Sequence, residues 1–84
     1  MEQGIGVLGI VISNRTEAAE RVNELLSQYG EMIVGRMGIP YREEGICVIS
    51  LIIDGSTDEI GALSGKLGTI PGVKVKTGLI TKKS

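Results

Sequence analysis

The chain has 84 residues, of which 42% are apolar and 2% aromatic, and its formal net charge is −1. This length predicts a single domain over residues 1–84, and the many Ile, Val and Leu residues exclude a disordered chain because they can form a core. No apolar run reaches the roughly 18 residues that a membrane span requires, and no basic segment precedes a signal-like stretch. A single cysteine cannot form an intramolecular disulfide, which fits a reducing compartment. We therefore expect a soluble cytoplasmic protein.

The first and third predicted strands are apolar on both faces. Residues 5–12 and 46–53 are apolar at nearly every position, and they lie within strands predicted at about 4–13 and 46–54. Two short helices in so small a chain cover one face of the sheet, so we expect a second subunit or a ligand on the other face. The residues predicted to form the oligomer interface are Ile46, Val48 and Ile52.

A helix is predicted after the first strand. Asn14 and Glu17 have the capping-box spacing that begins a helix, and Gly30 is the predicted C-terminal stop. Apolar residues at helical spacing predict the buried face of this helix. They are Ala18, Val22, Leu25, Leu26 and Tyr29.

The second half of the chain repeats this arrangement. Ser56 and Glu59 form a second capping box, before a helix that Gly68 is predicted to close. The predicted buried residues of this helix are Ile60, Leu63 and Leu67. Pro71 and Gly72 predict a turn, and after it apolar residues alternate with lysine and glycine, which is typical of an edge strand with one wet face.

The second strand is predicted at about 31–39. Gly35 and Gly38 interrupt it before Pro40, which indicates an edge strand with a bulge. The order β-α-β-β-α-β, with the doubly apolar strands at the sheet centre, predicts an α+β ferredoxin-like sandwich in which two helices cover one face of a four-stranded antiparallel sheet. Many functions use this architecture, so function must be argued from sites.

Several functional classes lack the residues that they need. The chain has no His, which removes His-based catalytic triads and most transition-metal sites. RNA binding on such a sheet uses aromatic residues of the central strands, whereas Tyr29 and Tyr41 fall in a predicted helix and a predicted loop. Gly4, Gly6 and Gly9 match G-x-G-x-x-G, but a dinucleotide site requires this motif after a strand. We therefore predict no catalytic residues and no cofactor.

Cys47 has two interpretations. Unpaired cysteine is among the most buried residue types, so the residue is predicted to be a small core side chain. As a metal ligand it is only a weak candidate, because its possible partners are Met, Asp and Glu. We predict no metal site.

Basic residues are concentrated near the C-terminus. Residues 66–84 hold five lysines and no acid, whereas residues 1–65 hold all ten acids. One interpretation is a nucleic-acid patch. We favour the other, in which these lysines protect an exposed strand edge and solvate the terminus. No direct nucleic-acid or membrane partner is predicted.

The segment 35–45 is the least generic part of the chain. We predict that Arg36, Tyr41 and Arg42 bind a small anionic ligand, because guanidinium groups pair well with carboxylate or phosphate. The alternative is an ordinary hairpin whose charges are solvated or paired with its own two glutamates. A second predicted anion site, at the N-terminus of the first helix, comprises Asn14 and Arg15.

Five motifs carry a resemblance to a known family. They are GRMGIPY at 35–41, ISLI at 49–52, DEI at 58–60, LSGKLG at 63–68 and GVKVK at 72–76. Through these motifs, which span nearly its whole length, the chain resembles the ACT-like regulator family of the iron-only hydrogenase system. The resemblance implies an ACT-like, ferredoxin-like fold and side-by-side or face-to-face assembly, and it allows a small ligand at the subunit interface.

A second resemblance is to the sensory domain of nickel-responsive regulators. There a metal-binding cysteine lies in a strand that ends at a glycine, much as Cys47 precedes Gly55. The histidines that complete such a site are absent from this chain. The loop at 13–16 also lacks the glycine-bearing pattern of amino-acid-binding ACT domains.

These observations predict a non-enzymatic regulatory or sensory module of an iron-only hydrogenase system. It would form a homodimer or larger oligomer through its sheet and bind a small anionic ligand or a protein partner of that system. The alternative is a structural adaptor or assembly protein that acts only through protein–protein contacts.

Overall fold

The computed structural model describes residues 2–13 and 16–82 of the chain. Within them the strands are β1 (Gln3–Ser13), β2 (Ile33–Tyr41), β3 (Ile46–Ser56) and β4 (Val73–Thr81), and the α-helices are α1 (Thr16–Gln28) and α2 (Thr57–Gly68). Short 3-10 helices at Gly30–Met32 and Arg42–Glu44 precede and follow β2.

The strands form one antiparallel sheet in the order β2-β3-β1-β4. This arrangement confirms the predicted ferredoxin-like sandwich, and the doubly apolar strands β1 and β3 lie at its centre as predicted. Their register places Leu8 opposite Leu51 and Ile10 opposite Ile49. Residues directly opposite each other share a sheet face, and these pairs face the helices.

One hydrophobic core lies between the sheet and the two helices. Its buried residues are Leu8, Ile10 and Ile12 of β1; Ala18, Val22 and Leu26 of α1; Ile49, Leu51 and Ile53 of β3; Ile60, Leu63 and Leu67 of α2; and Ile70 and Val73. Alternate positions are buried along the strands, and positions three or four apart are buried along the helices, so each element hides one face. The opposite face of the sheet receives neither helix.

Helix α1 buries the predicted face but ends differently from the prediction. Three of the five predicted residues are fully buried, and the remaining two, Leu25 and Tyr29, pack against the core. Gly30 does not adopt the left-handed conformation of a helix stop, and instead it begins the first 3-10 helix, which the Met32 N–H closes by donating to Tyr29 O at 2.9 Å. Asn14, the predicted N-cap, lies outside the described residues.

Helix α2 has the predicted capping box. The Glu59 N–H donates to Ser56 Oγ at 3.1 Å, and the Ser56 N–H donates to Glu59 Oε1 at 3.2 Å. At the other end Gly68 is the last helical residue, and the cap after it is Thr69 in a right-handed conformation. The hydroxyl of Thr69 donates to Lys66 O at 2.8 Å, so a side chain, and not a left-handed glycine, satisfies a carbonyl at this end.

Strand β2 is an edge strand with a bulge, as predicted, but it lies two residues further along the chain. Its register against β3 shifts between Ile33 and Gly35, which makes Val34 the extra residue. The strand continues through Pro40 to Tyr41, so the prediction of a loop at Tyr41 was wrong. Pro40 is tolerated in β2 because an edge strand pairs with a neighbour on one side only, so its outer side forms no inter-strand hydrogen bonds.

A tight turn leads into β4. The Val73 N–H donates to Ile70 O at 3.1 Å across Pro71 and Gly72, and Gly72 has a φ of 85°. Proline at the first central position and glycine with positive φ at the second are typical of a type II turn. The predicted alternation of β4 is confirmed, because Val73, Val75 and Leu79 take the helix side.

Candidate functional site

The sheet face opposite the helices, here called the open face, is largely apolar in the described part of the chain. Its rows run across all four strands, for example from Ile39 through Val48 and Val11 to Lys74. The exposed large apolar side chains on it are Val7 (44%), Met37 (64%), Ile39 (46%), Tyr41 (46%), Ile52 (45%) and Ile80 (61%). A contiguous apolar surface of this kind marks an interaction site more often than scattered apolar residues do.

The three predicted interface residues lie together on the open face. Ile46, Val48 and Ile52 occupy alternate positions of the central strand β3, and all three face away from the core. Ile52 lies opposite Val7, and both side chains are nearly half exposed in the single chain. The geometry therefore brings these residues together on one available surface, while the oligomer itself stays a prediction.

The open face is large enough for a stable contact. Four strands of nine to eleven residues, at about 3.3 Å per residue and about 4.8 Å between strands, give this face a flat area on the order of 600 Å². That area lies at the lower end of what each partner contributes to a standard protein interface, which is about 600–1,000 Å². At the centre of this face, a Cβ on Gly9 would meet nothing within 4 Å, so the surface is locally recessed.

The predicted anion-binding residues of segment 35–45 are not brought together. Arg36 lies opposite Leu51 and points to the helix side, where its Nη2 donates to Asn23 Oδ1 of α1 at 2.7 Å. Tyr41 lies opposite Ile46 on the open face, about 17 Å further along the strand. These two side chains cannot hold one small ligand within a single chain.

The remaining predicted binding residues have other placements. Arg42 begins the 3-10 helix after β2, next to Tyr41 at the end of the sheet. Asn14 and Arg15 lie outside the described residues. The ligand-binding assignments therefore stay predictions.

Cys47 lies on the helix side of β3, opposite Ile12. Its side chain is half-buried and packs against the core, as expected for a small apolar residue. Among the described residues, no three His, Cys, Asp or Glu side chains are grouped so as to hold a metal ion. The match to G-x-G-x-x-G lies inside β1, where Gly6 faces α2 and Gly9 faces outward, so the motif does not open a helix.

The structure separates the described C-terminal lysines into two groups, and Lys83 lies outside the described residues. Lys66 lies on α2, where its Nζ donates to the Tyr29 hydroxyl at 3.0 Å and lies 5.3 Å from the ring centroid. Lys74, Lys76 and Lys82 follow the open-face side of the edge strand β4, which agrees with the edge-protecting interpretation. Of these, Lys82 pairs with Asp54 at 2.6 Å.

Sequence reasoning missed a groove between the two helices. It has a volume of about 270 Å³, and its lining includes Arg21, Glu24, Lys66 and Thr69. The charges of this lining are mixed and do not converge on one ligand chemistry. Only the packing of α1 against α2 creates the groove, so no sequence motif indicates it.

Among the described residues, no helix combines the length and the apolar character needed to cross a bilayer.

Comparison with protein families gives a match over residues 4–77 to the TM1266-like model, described as "Iron-only hydrogenase system regulator, putative". The chain belongs to this family. The resemblance seen in its motifs is thus confirmed over most of its length. No curated protein matches the chain.

One solved structure supports this family assignment, and two others share the fold. The structure of the uncharacterized protein TM1266 from Thermotoga maritima is 46% identical, with a TM-score of 0.90, over 98% of this chain and 100% of that one. The ACT domain of GTP pyrophosphokinase from Chlorobium tepidum is 21% identical, with a TM-score of 0.75, over 88% of this chain and 96% of that one. The C-terminal domain of MgtC from Mycobacterium tuberculosis is 16% identical, with a TM-score of 0.67, over 99% of this chain and 93% of that one. The last two likenesses establish the ACT-like fold alone.

Proposed function

We propose that this family member is a non-enzymatic regulatory module that acts as a homodimer formed through its open face. The observation that supports the proposal most is the apolar surface at the sheet centre, where Val7 and Ile52 lie opposite each other and both are nearly half exposed. A second copy would cover this surface with an identical one, which is the simplest closed arrangement for a self-complementary patch.

The regulatory part of the proposal comes from the family description, which names a regulator of the iron-only hydrogenase system. Fold similarity to an ACT domain agrees with a sensory role but does not specify a ligand. We infer that the module acts by binding a protein partner of that system. Assembly through the open face would change which surfaces of the module this partner can contact.

Sedimentation equilibrium tests the homodimer. The wild type is expected to dimerise in the micromolar range, and Ile52→Glu is expected to weaken the dimer at least about 100-fold, because twofold symmetry buries the new carboxylate twice. Ala62→Glu adds the same charge at an exposed position of α2 and is expected to leave the dimer intact. A wild type that stays monomeric at millimolar concentration would contradict the proposal.

A structural adaptor is the second candidate function. The separation of Arg36 from Tyr41 favours it, because the residues predicted to bind a ligand do not converge. A thermal-shift screen with anions and amino acids distinguishes the two functions, since a ligand at 100 times its Kd adds about 2.7 kcal/mol to the free energy of unfolding. A regulatory module is expected to respond to at least one compound, and an adaptor to none.

A further inference from the structure

Two lysines of the open face have no acidic partner among the described residues. Lys74 lies opposite Val11 on β1, and Lys76 lies opposite Gly9. The register places one acidic side chain on this face of the described strands, Asp54, and it is already paired with Lys82. Two strand spacings and four residues separate Asp54 from Lys76, which is about 16 Å and about twice the Debye length at physiological salt.

The surface beside Lys76 is shallow and holds one hydroxyl within the largely apolar open face. Lys74 and Lys76 point the same way from one strand, with their Cα atoms about 7 Å apart. Next to Lys76 the row continues through Gly9 to Ser50 of β3. A Cβ on Gly9 would meet nothing within 4 Å. An anion lying over Gly9 would have ammonium groups on one side and a hydroxyl on the other.

Closing the open face raises the free energy of the two lysine ammonium groups, because it removes water from them. In a single chain both are exposed and solvated. Under a second copy, an ammonium group without a counter-charge costs several kcal/mol, and the twofold axis doubles that cost. If the twofold axis crosses the middle of the row that runs from Met37 through Ser50 and Gly9 to Lys76, the second copy would place an apolar side chain, and no carboxylate, over Lys76.

We propose that the open face closes on a small oxyanion held by Lys74 and Lys76 over Gly9, so that anion binding and dimerisation are coupled. This inference rests on the proposed homodimer and assigns its ligand class. Lys binds phosphate and carboxylate as a compact point charge, so either group satisfies the site. An anion at ten times its Kd in each of two sites is expected to tighten the dimer about 100-fold.

Sedimentation equilibrium at one ionic strength in sodium chloride, sodium phosphate and sodium succinate tests the coupling. The dimer of the wild type is expected to be tightest in phosphate or in succinate, and the better of the two identifies the class of oxyanion. Phosphate also strengthens apolar burial in general, so a variant without the site is required. In the double variant Lys74→Met with Lys76→Met, the dimer is expected to be tight already in chloride and to gain nothing from either anion.

The matched control is Lys66→Met, which removes a lysine from α2, away from the open face. It is expected to keep the anion dependence of the wild type. A wild-type dimer of equal affinity in all three salts overturns the inference while leaving the homodimer in place, and so does a double variant that responds to phosphate as the wild type does. A monomer under every condition overturns both proposals.

Discussion

The side chain of Ile60 on α2 lies directly against the backbone of Gly6 on β1. A Cβ built on Gly6 would lie 2.8 Å from Ile60 Cγ2, which is closer than side chains approach each other. Ile60 is fully buried, so the missing side chain lets α2 pack tightly on the central strand. Three residues later Gly9 faces the opposite side of the sheet and has an open space above it.

The two glycines predict opposite results for one substitution. Gly6→Ala is expected to lower the free energy of unfolding by about 1–3 kcal/mol, because the new methyl overpacks the contact with Ile60. Gly9→Ala is the control, and it is expected to be neutral or to stabilise by up to about 1 kcal/mol, since it only restricts the unfolded chain. Urea denaturation at low protein concentration measures both, and equal effects would show that α2 does not approach β1 this closely.

The capping box of α2 predicts a stability loss at a buried serine. Ser56→Ala removes the acceptor of the Glu59 N–H, and we expect a loss of about 1 kcal/mol. Ser27→Ala is a suitable comparison, because the Ser27 hydroxyl donates to Asn23 O on the exposed side of α1 and its loss should change stability by less than about 0.5 kcal/mol. Thermal denaturation measures the difference, and two equally mild variants would argue against the cap.

The turn before β4 predicts another glycine-specific effect. Gly72→Ala is expected to cost about 2 kcal/mol, because alanine is strained at a φ of 85° and its methyl would meet the Ser13 side chain. Gly61→Ala places the same methyl on α2 in open space and is expected to stabilise the helix by about 0.5–1 kcal/mol. Chemical denaturation of the two variants should therefore move in opposite directions, and a harmless Gly72→Ala would contradict the type II turn.

The ion pair between Lys82 and Asp54 predicts a small effect. The two side chains are 42% and 44% exposed, so solvent screens most of their attraction. A double-mutant cycle with Lys82→Met and Asp54→Asn is expected to give a coupling energy below about 1 kcal/mol that falls further in high salt. A coupling well above this value would mean that the pair is buried in the assembled protein.

Much of the fold was predictable from local patterns. The second capping box, the Pro71-Gly72 turn and the central position of the doubly apolar strands depend on neighbouring residues or on burial along one strand, and the structure has all three. The ends of β2 and the stop at Gly30 were less predictable. There a 3-10 turn closes through backbone hydrogen bonds that many sequences can form, so no residue type specifies it.

The candidate site was only partly predictable. Ile46, Val48 and Ile52 share a face because strand side chains alternate, which the sequence shows directly. Arg36 and Tyr41 are close in the sequence, but β2 continues through Tyr41 where a loop was predicted, and its pleat directs residues five positions apart to opposite faces. The isolation of Lys74 and Lys76 from Asp54 depends on register across three strands, which no single segment encodes.

The sequence alone determined the order of elements, the two-sided apolar character of β1 and β3, and the family, because these depend on residue types and short spacings. The tertiary structure decided which apolar residues stay uncovered, which charges find partners and where the groove between the helices forms. Those properties arise only when the strand register and helix packing bring distant residues together, and contacts of that kind are set by the whole chain at once.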